Sequence, residues 1–278
     1  MAELDQFMEY VSDKKPNTIR TYNLQYRTLH DIIDRDIGQS SEKTVILAAN
    51  TAKSINSVRA LLNVGMMVRK MLGLGYKQIE KVRDSNRRDV SNLVKEKNIT
   101  ITDGLPSYQD LVDYVNKLYE ENKWVSYVIN YILLNYQTRN QDLVFQLVRL
   151  KRDIKNDGRN YMWIPQRGNK VLYVRNNYKT SGSHGKIQIE ITDPKFILAM
   201  KRIIACKKYQ LECGNIIPND DQVGYHVKKL TLNQIGEGKM VKIIIDHFRG
   251  DMQKLKEISK NRGTNIETLI ESYDIKNV

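Results

Sequence analysis

At 278 residues, with 41% apolar side chains, the chain is long enough for one large domain or two ordinary ones and apolar enough to bury real cores, which excludes disorder as the default. Its net charge is +13, from 45 Lys+Arg against 32 Asp+Glu, which points to a polyanionic partner. No run of eighteen apolar residues occurs, the acidic start "MAELDQFMEY" is unlike a signal peptide, and Cys206 and Cys213 have no histidine near them. The expectations are therefore an intracellular protein, cytoplasmic or nuclear, without membrane contact, disulfide framework, metal or cofactor.

Residues 1 to about 100 read as all helical. "KKPNTIRTYNLQYRTLHDIID" opens on Pro16, Asn17 and Thr18 as start signals, then places Ile19, Tyr22, Leu24, Tyr26, Leu29, Ile32 and Ile33 at mostly helical spacing. Helices follow at about 42–49, 54–74 and 76–97. The last has a thin apolar stripe at Ile79, Val82, Val90 and Val94 among basic residues. "NITITDGLPSYQD" breaks the pattern, and Ser107 with Asp110 has capping-box spacing, so a second domain is expected over 105–278. Helices at about 107–121 and 123–135 come next. "YMWIP", "KVLYVRNNYKT" and "KIQIEI" then alternate as three short strands of a small antiparallel sheet. "TDPKFILAMKRII" restarts helix with Asp193 as cap and Pro194 at the first helical position. The fold class is α+β, mainly α.

The charge is unevenly placed. Residues 51–100 carry 11 basic and 4 acidic side chains, and Arg149 to Lys179 carry nine and two. Two basic zones suit a nucleic acid that touches two parts of the protein. In the first zone Arg69, Lys70, Lys77, Lys81, Arg83, Arg87 and Arg88 are the candidate phosphate contacts. "NQIGEGKM" lacks the first glycine and the Ser/Thr of a P-loop, and the histidines show no metal spacing.

Single residues carry little alone. Arg139 follows an apolar helix three residues before Asp142, Lys179 is placed at a strand end near a hairpin tip, and Tyr273 lies near the C-terminus. In order, they resemble the tyrosine recombinase (phage integrase) family over nearly the whole chain. "KPNTIRTYNLQYRTLHDII" is similar to the opening of the family's helical, SAM-like core-binding domain. "RNQDL" matches its first box at Arg139, Asp142 and Leu143. "YKTSGSHGKIQIEI" resembles the hairpin of the catalytic lysine, here Lys179. "RGTNIETLIESY" is similar to the closing box, with Gly263 ten residues before Tyr273. Where the family has His/Lys-x-x-Arg, this chain has Lys239 and Lys242, and Thr264 stands at the family's His/Trp position. The wording is also similar to divergent members from large DNA viruses and mobile elements.

The resemblance implies a site-specific recombinase or integrase acting on double-stranded DNA, as a tetramer on DNA, through a 3′-phosphotyrosine. The two domains would close as a C-shaped clamp, and five residues after Tyr273 leave little chain for an exchanged C-terminal helix. Tyr273 would be the nucleophile, Arg139 would hold a phosphate oxygen through its planar fork, and Lys179 would protonate the departing 5′-oxygen. Lys242 would supply a second positive charge, Lys239 a donor or proton acceptor, and Thr264 one hydrogen bond. Asp142 would brace the site. His226, His247, Arg249 and Lys170 are carried as supporting candidates, Lys170 as a rival for the lysine role. Three other readings stay open: a recombinase-like DNA-binding protein with weakened catalysis, a type IB topoisomerase, and an RNA-binding module.

Overall fold

The computed structural model describes residues 2–86 and 104–273, and the chain divides into two compact units, Met1–Glu96 and Lys97–Val278. No helix among the described residues is long and apolar enough to cross a membrane.

The first unit contains α1 (Ala2–Tyr10), α2 (Pro16–Ile33), α3 (Glu42–Asn50), α4 (Ile55–Met71) and α5, described over 77–86. Pro16 sits in the first turn of α2, where its missing amide costs nothing. Ser41 and Ser54 cap α3 and α4, each hydroxyl accepting an amide at 3.1 Å. The helices close on a core that includes Phe7, Leu29, Val45, Leu62 and Ile79. Glu3 is buried with them, because its carboxylate accepts from the Tyr26 hydroxyl at 2.8 Å and from the amides of Ile37 and Gly38 at 2.9 and 2.7 Å.

The basic zone in this unit divides by helix face. Lys70, Lys77 and Lys81 are exposed. Arg69, expected to meet DNA, is buried, and its guanidinium donates to the carbonyls of Ser40 and Gly75. The physical reason is periodicity: Arg69 falls on the α4 face already occupied by Leu61, Leu62, Gly65 and Val68. Arg83 is half-buried, with its Nε donating to Asp84 at 2.9 Å. Arg87, Arg88, Val90 and Val94 lie outside the described residues.

The second unit is mixed. It opens with α6 (Tyr108–Glu120) and α7 (Trp124–Tyr136), a 3₁₀ turn at Asn140–Leu143, β1 (Phe145–Val148), β2 (Asn160–Trp163) and β3 (Val171–Arg175). It continues through α8 (Ser181–His184), β4 (Ile187–Ile191), α9 (Pro194–Ala205), α10 (Val223–Leu230), α11 (Gly236–His247), α12 (Met252–Arg262) and α13 (Ile266–Tyr273). The capping box forms as its spacing predicts: the Asp110 amide donates to Ser107 Oγ at 3.1 Å, and the Ser107 amide to Asp110 Oδ2 at 2.7 Å. Asp193 caps α9 in the same way, at 2.9 Å from the Phe196 amide. Apolar α7 is the central post, with Val128, Ile129, Ile132 and Leu133 packed among residues that include Phe196, Met200, Val241 and Ile244.

The three expected strands are present, β2 against β3 and β3 against β4, both antiparallel. A fourth strand extends the sheet: β1 pairs parallel with β2, giving the order β1-β2-β3-β4. "FQLV" is too short to show alternation and comes one residue after the 3₁₀ turn, so periodicity alone does not separate it. β3 also ends earlier than expected, at Arg175, so Lys179 is exposed in the connection to α8 and not on a strand end.

Candidate active site

Helix α7 ends at Gln137, whose backbone is left-handed (φ 45°) and turns the chain out of the core toward Arg139. The 3₁₀ turn that follows brings Asp142 under it. Asp142 is fully buried, accepts the Arg139 amide at 3.1 Å through Oδ2, and ion-pairs with the equally buried Arg175. The local Arg139–Asp142 pairing therefore runs through the backbone amide, and the charge partner of Asp142 is Arg175. Burial pushes the Asp142 carboxyl up, and the Arg175 charge opposes that. Arg175 also donates through Nη1 to the Asn261 carbonyl at 2.6 Å and lies 4.9 Å from the Tyr178 ring centre. One guanidinium thus joins the sheet, the 3₁₀ turn and the end of α12.

At that end stands Arg262, with 1% of its surface exposed. Its Nη2 donates to the Tyr273 hydroxyl at 2.7 Å, and its guanidinium lies 4.7 Å from that tyrosine's ring centre. Its Nη1 donates to the Gln137 carbonyl at 2.8 Å and sits 2.7 Å from the Glu237 carboxylate. Arg139 in turn donates through Nη1 to the Arg262 carbonyl. Arg139 and Tyr273, 134 residues apart, therefore meet on Arg262. Burial, and after it repulsion from the Arg262 charge, pulls Arg139 down. An anion placed between them removes that repulsion, and the buried Arg262 Nε has no hydrogen-bond partner among the described residues.

The loop carrying Lys179 is fastened to the same place. Gly263 ends α12 with φ 57°, a conformation that suits glycine. A Cβ there would lie 2.4 Å from Thr180 Oγ1 and 2.8 Å from Tyr178 Cε2, and the Thr180 hydroxyl donates to the Gly263 carbonyl at 2.6 Å. The two neighbours of Lys179 thus close on the residue after Arg262. Gly263→Ala is expected to cost about 1–3 kcal/mol in urea unfolding, and less in a Thr180→Ala background, which removes the nearest clash. An equal cost in both backgrounds would leave φ and the Tyr178 ring, 2.8 Å from the added Cβ, as the cause.

The other candidates have different surroundings. Lys239 is exposed and Lys242 half-buried on α11, and the Lys242 ammonium is pulled down by burial and then by Lys239. Glu237, on the same helix, faces Arg262. At ~100° per residue Lys239 projects ~160° and Lys242 ~140° away from it. The cation that donates to the Tyr273 hydroxyl is Arg262. Thr264 is half-buried, with its amide donating to the Ser259 carbonyl at 3.1 Å and its carbonyl accepting from Ser259 Oγ at 2.6 Å. His226 pairs with Asp220 at 3.3 Å, and His247 stacks on Tyr108 with ring centres 4.1 Å apart. Arg249 is exposed between α11 and α12. Lys170 pairs with Glu190 at 2.9 Å and precedes β3, whereas Arg175 ends it, ~16 Å away along the strand.

Arg175 and Arg262 were not among the expected residues. A signal for Arg175 was available: Val171, Tyr173 and Arg175 share one face of β3, and all three are buried. Arg262 offered only its place before a glycine in "NRGT".

No protein-family model matches the sequence, and no curated protein matches it. Among solved structures, the chain is similar to one described as XerA recombinase, at 11% identity and a TM-score of 0.39, over 99% of this chain and 94% of that one.

Proposed function

We propose that the chain binds duplex DNA and breaks and rejoins its strands with Tyr273 as nucleophile. The observation that carries this reading is the Arg262 Nη2 to Tyr273 hydroxyl contact at 2.7 Å, with Arg139 fastened to the same arginine. In the step, the phenol oxygen attacks phosphorus and gives up its proton. The bond from phosphorus to the 5′-oxygen breaks, that oxygen gains a proton, and a 3′-phosphotyrosine forms. The reverse attack by a 5′-hydroxyl rejoins the strand. Arg262, through the Nη2 that already meets the Tyr273 hydroxyl, and Arg139, fastened to the Arg262 carbonyl, stabilise charge on the attacked phosphate. Lys179, exposed in a loop docked on Gly263, is the proton donor to the 5′-oxygen. Asp142 holds the Arg139 amide and the Arg175 charge.

In the same reading, the 1–100 region is a DNA-binding domain contacting phosphates through Lys70, Lys77 and Lys81, the 105–278 region is the catalytic domain, and strand exchange assembles a tetramer on DNA. The test is incubation with a pool of random-sequence duplexes nicked beside the point of cleavage. The expected result is a detergent-resistant protein–DNA adduct, with a nucleotide mapped to Tyr273 by mass spectrometry. Duplex binding without any adduct would favour the catalytically weakened DNA-binding protein. Sequence-independent plasmid relaxation by monomer would favour a type IB topoisomerase, and preference for single-stranded RNA would set the DNA reading aside.

A further inference from the structure

We infer that a polar pocket beside the phosphate site reads the edge of one base of the bound duplex, and that the base it fits is adenine. The inference rests on the duplex-DNA reading above. The pocket has a volume of about 80 Å³ and is walled by the carboxamides of Gln141, Gln146, Asn160, Asn177, Asn215 and Asn219. Asn160 is committed to the protein, accepting the Asn177 amide at 2.8 Å and donating to the Asn177 carbonyl at 3.0 Å. The carboxamides of the other five make no hydrogen bond within the protein among the described residues. Gln141, Asn177 and Asn219 are exposed, Gln146 is half-buried and Asn215 is buried, so carboxamides that each donate and accept line an opening that water fills and that a partner able to do both can take over.

Charge argues against a second phosphate. The charged side chain at the pocket, Arg159, is paired with Asp157 at 3.0 Å. A neutral polar ligand suits such a wall better, and Asn or Gln makes a two-point contact with adenine through N6 and N7. Size sets the mode: about 80 Å³ is roughly half of the ~150 Å³ cavity that takes a benzene, too little for a whole base drawn out of the stack. An edge presented in a groove fits.

Position ties the pocket to the proposed chemistry. Gln141 is in the 3₁₀ turn with Asp142, two residues after Arg139, and Asn177 is two residues before Lys179. The Asn160 amide also reaches the Asp142 carbonyl at 3.4 Å. The opposite wall is fixed by the bridge between Gln146 and Asn215 and by the Leu147 amide donating to the Gly214 carbonyl at 3.2 Å. The inference places at this opening a base that neighbours a nucleotide held by Arg139 and Arg262.

The test is enrichment of duplexes from a random library by the full chain and by Gln141→Leu and Asn219→Leu, whose parent side chains are exposed and tolerant of substitution. The parent should enrich adenine at one position near the cleaved phosphate. Each variant should lose that preference, with affinity for the enriched duplex down about 5- to 100-fold and affinity for random duplex within about twofold. Enrichment of no base by the parent, or of the same adenine by the variants, overturns the pocket while leaving strand cleavage standing. If the parent binds no duplex at all, the DNA reading fails, and titration with deoxyadenosine decides the pocket separately. Shifts of the Gln141 and Asn219 side-chain amide signals would keep it, and unshifted signals would end it.

Discussion

Tyr273→Phe is expected to abolish the covalent adduct on nicked duplex while leaving duplex binding within about twofold. The substitution removes one oxygen and keeps the ring that lies 4.7 Å from the Arg262 guanidinium, so the packing of α13 persists. The loss is one hydrogen bond to a charged donor, at most about 3 kcal/mol of stability. Arg262→Lys is the companion. It keeps a positive charge, but a single ammonium cannot reach the Tyr273 hydroxyl and the Gln137 carbonyl, 2.7 and 2.8 Å from two different nitrogens, and also face Glu237. Cleavage should fall by about 10²- to 10³-fold, the loss seen when one donor to a developing oxyanion is removed. Glu237→Gln separates charge from shape, since it retains the side chain and removes only the ion pair. An adduct that survives Tyr273→Phe would end the nucleophile assignment, and full cleavage by Arg262→Lys would return the second cation's role to Lys242.

What could be read from the sequence was what local chemistry fixes. Pro16 before an amphipathic run, Ser107 with Asp110, and Asp193 with Pro194 each state a helix start in adjacent residues, and all three starts are found there. β1 was not legible, because four residues cannot display a period and their partner strand lies 11 residues further on. Charge counts placed Arg69 on DNA because they do not distinguish helix faces, and its burial against Ser40 and Gly75 is set by where α4 packs. The site follows the same rule. Arg139 and Tyr273 stood out by order along the chain. Arg262 acquires its role only where the end of α12, the turn after α7 and the end of α13 meet, contacts separated by 125 and 11 residues. Lys242 attracted attention by spacing, yet its helix turns it away from Glu237, the α11 side chain that reaches Arg262.

Arg175→Met is expected to destabilise the second unit by about 3–5 kcal/mol, because it strands the Asp142 carboxylate, fully buried with its remaining oxygen already unpartnered. The same change removes the donor to the Asn261 carbonyl and the contact with Tyr178, so the end of α12 loses its tie to β3. Asp142→Asn alone leaves the Arg175 cation buried and unpaired, and should cost a comparable amount. The double variant should recover part of the loss, because neither charge is then stranded, and the shape at both positions is roughly kept. The measurement is a double-mutant cycle by urea unfolding, and a coupling of at least about 1–2 kcal/mol is the expected result. Additive single costs would mean that Arg175 acts mainly through Asn261 and Tyr178. In that case the carboxylate would be held by the Arg139 amide, and Arg139, rather than Arg175, would be the residue whose geometry depends on it.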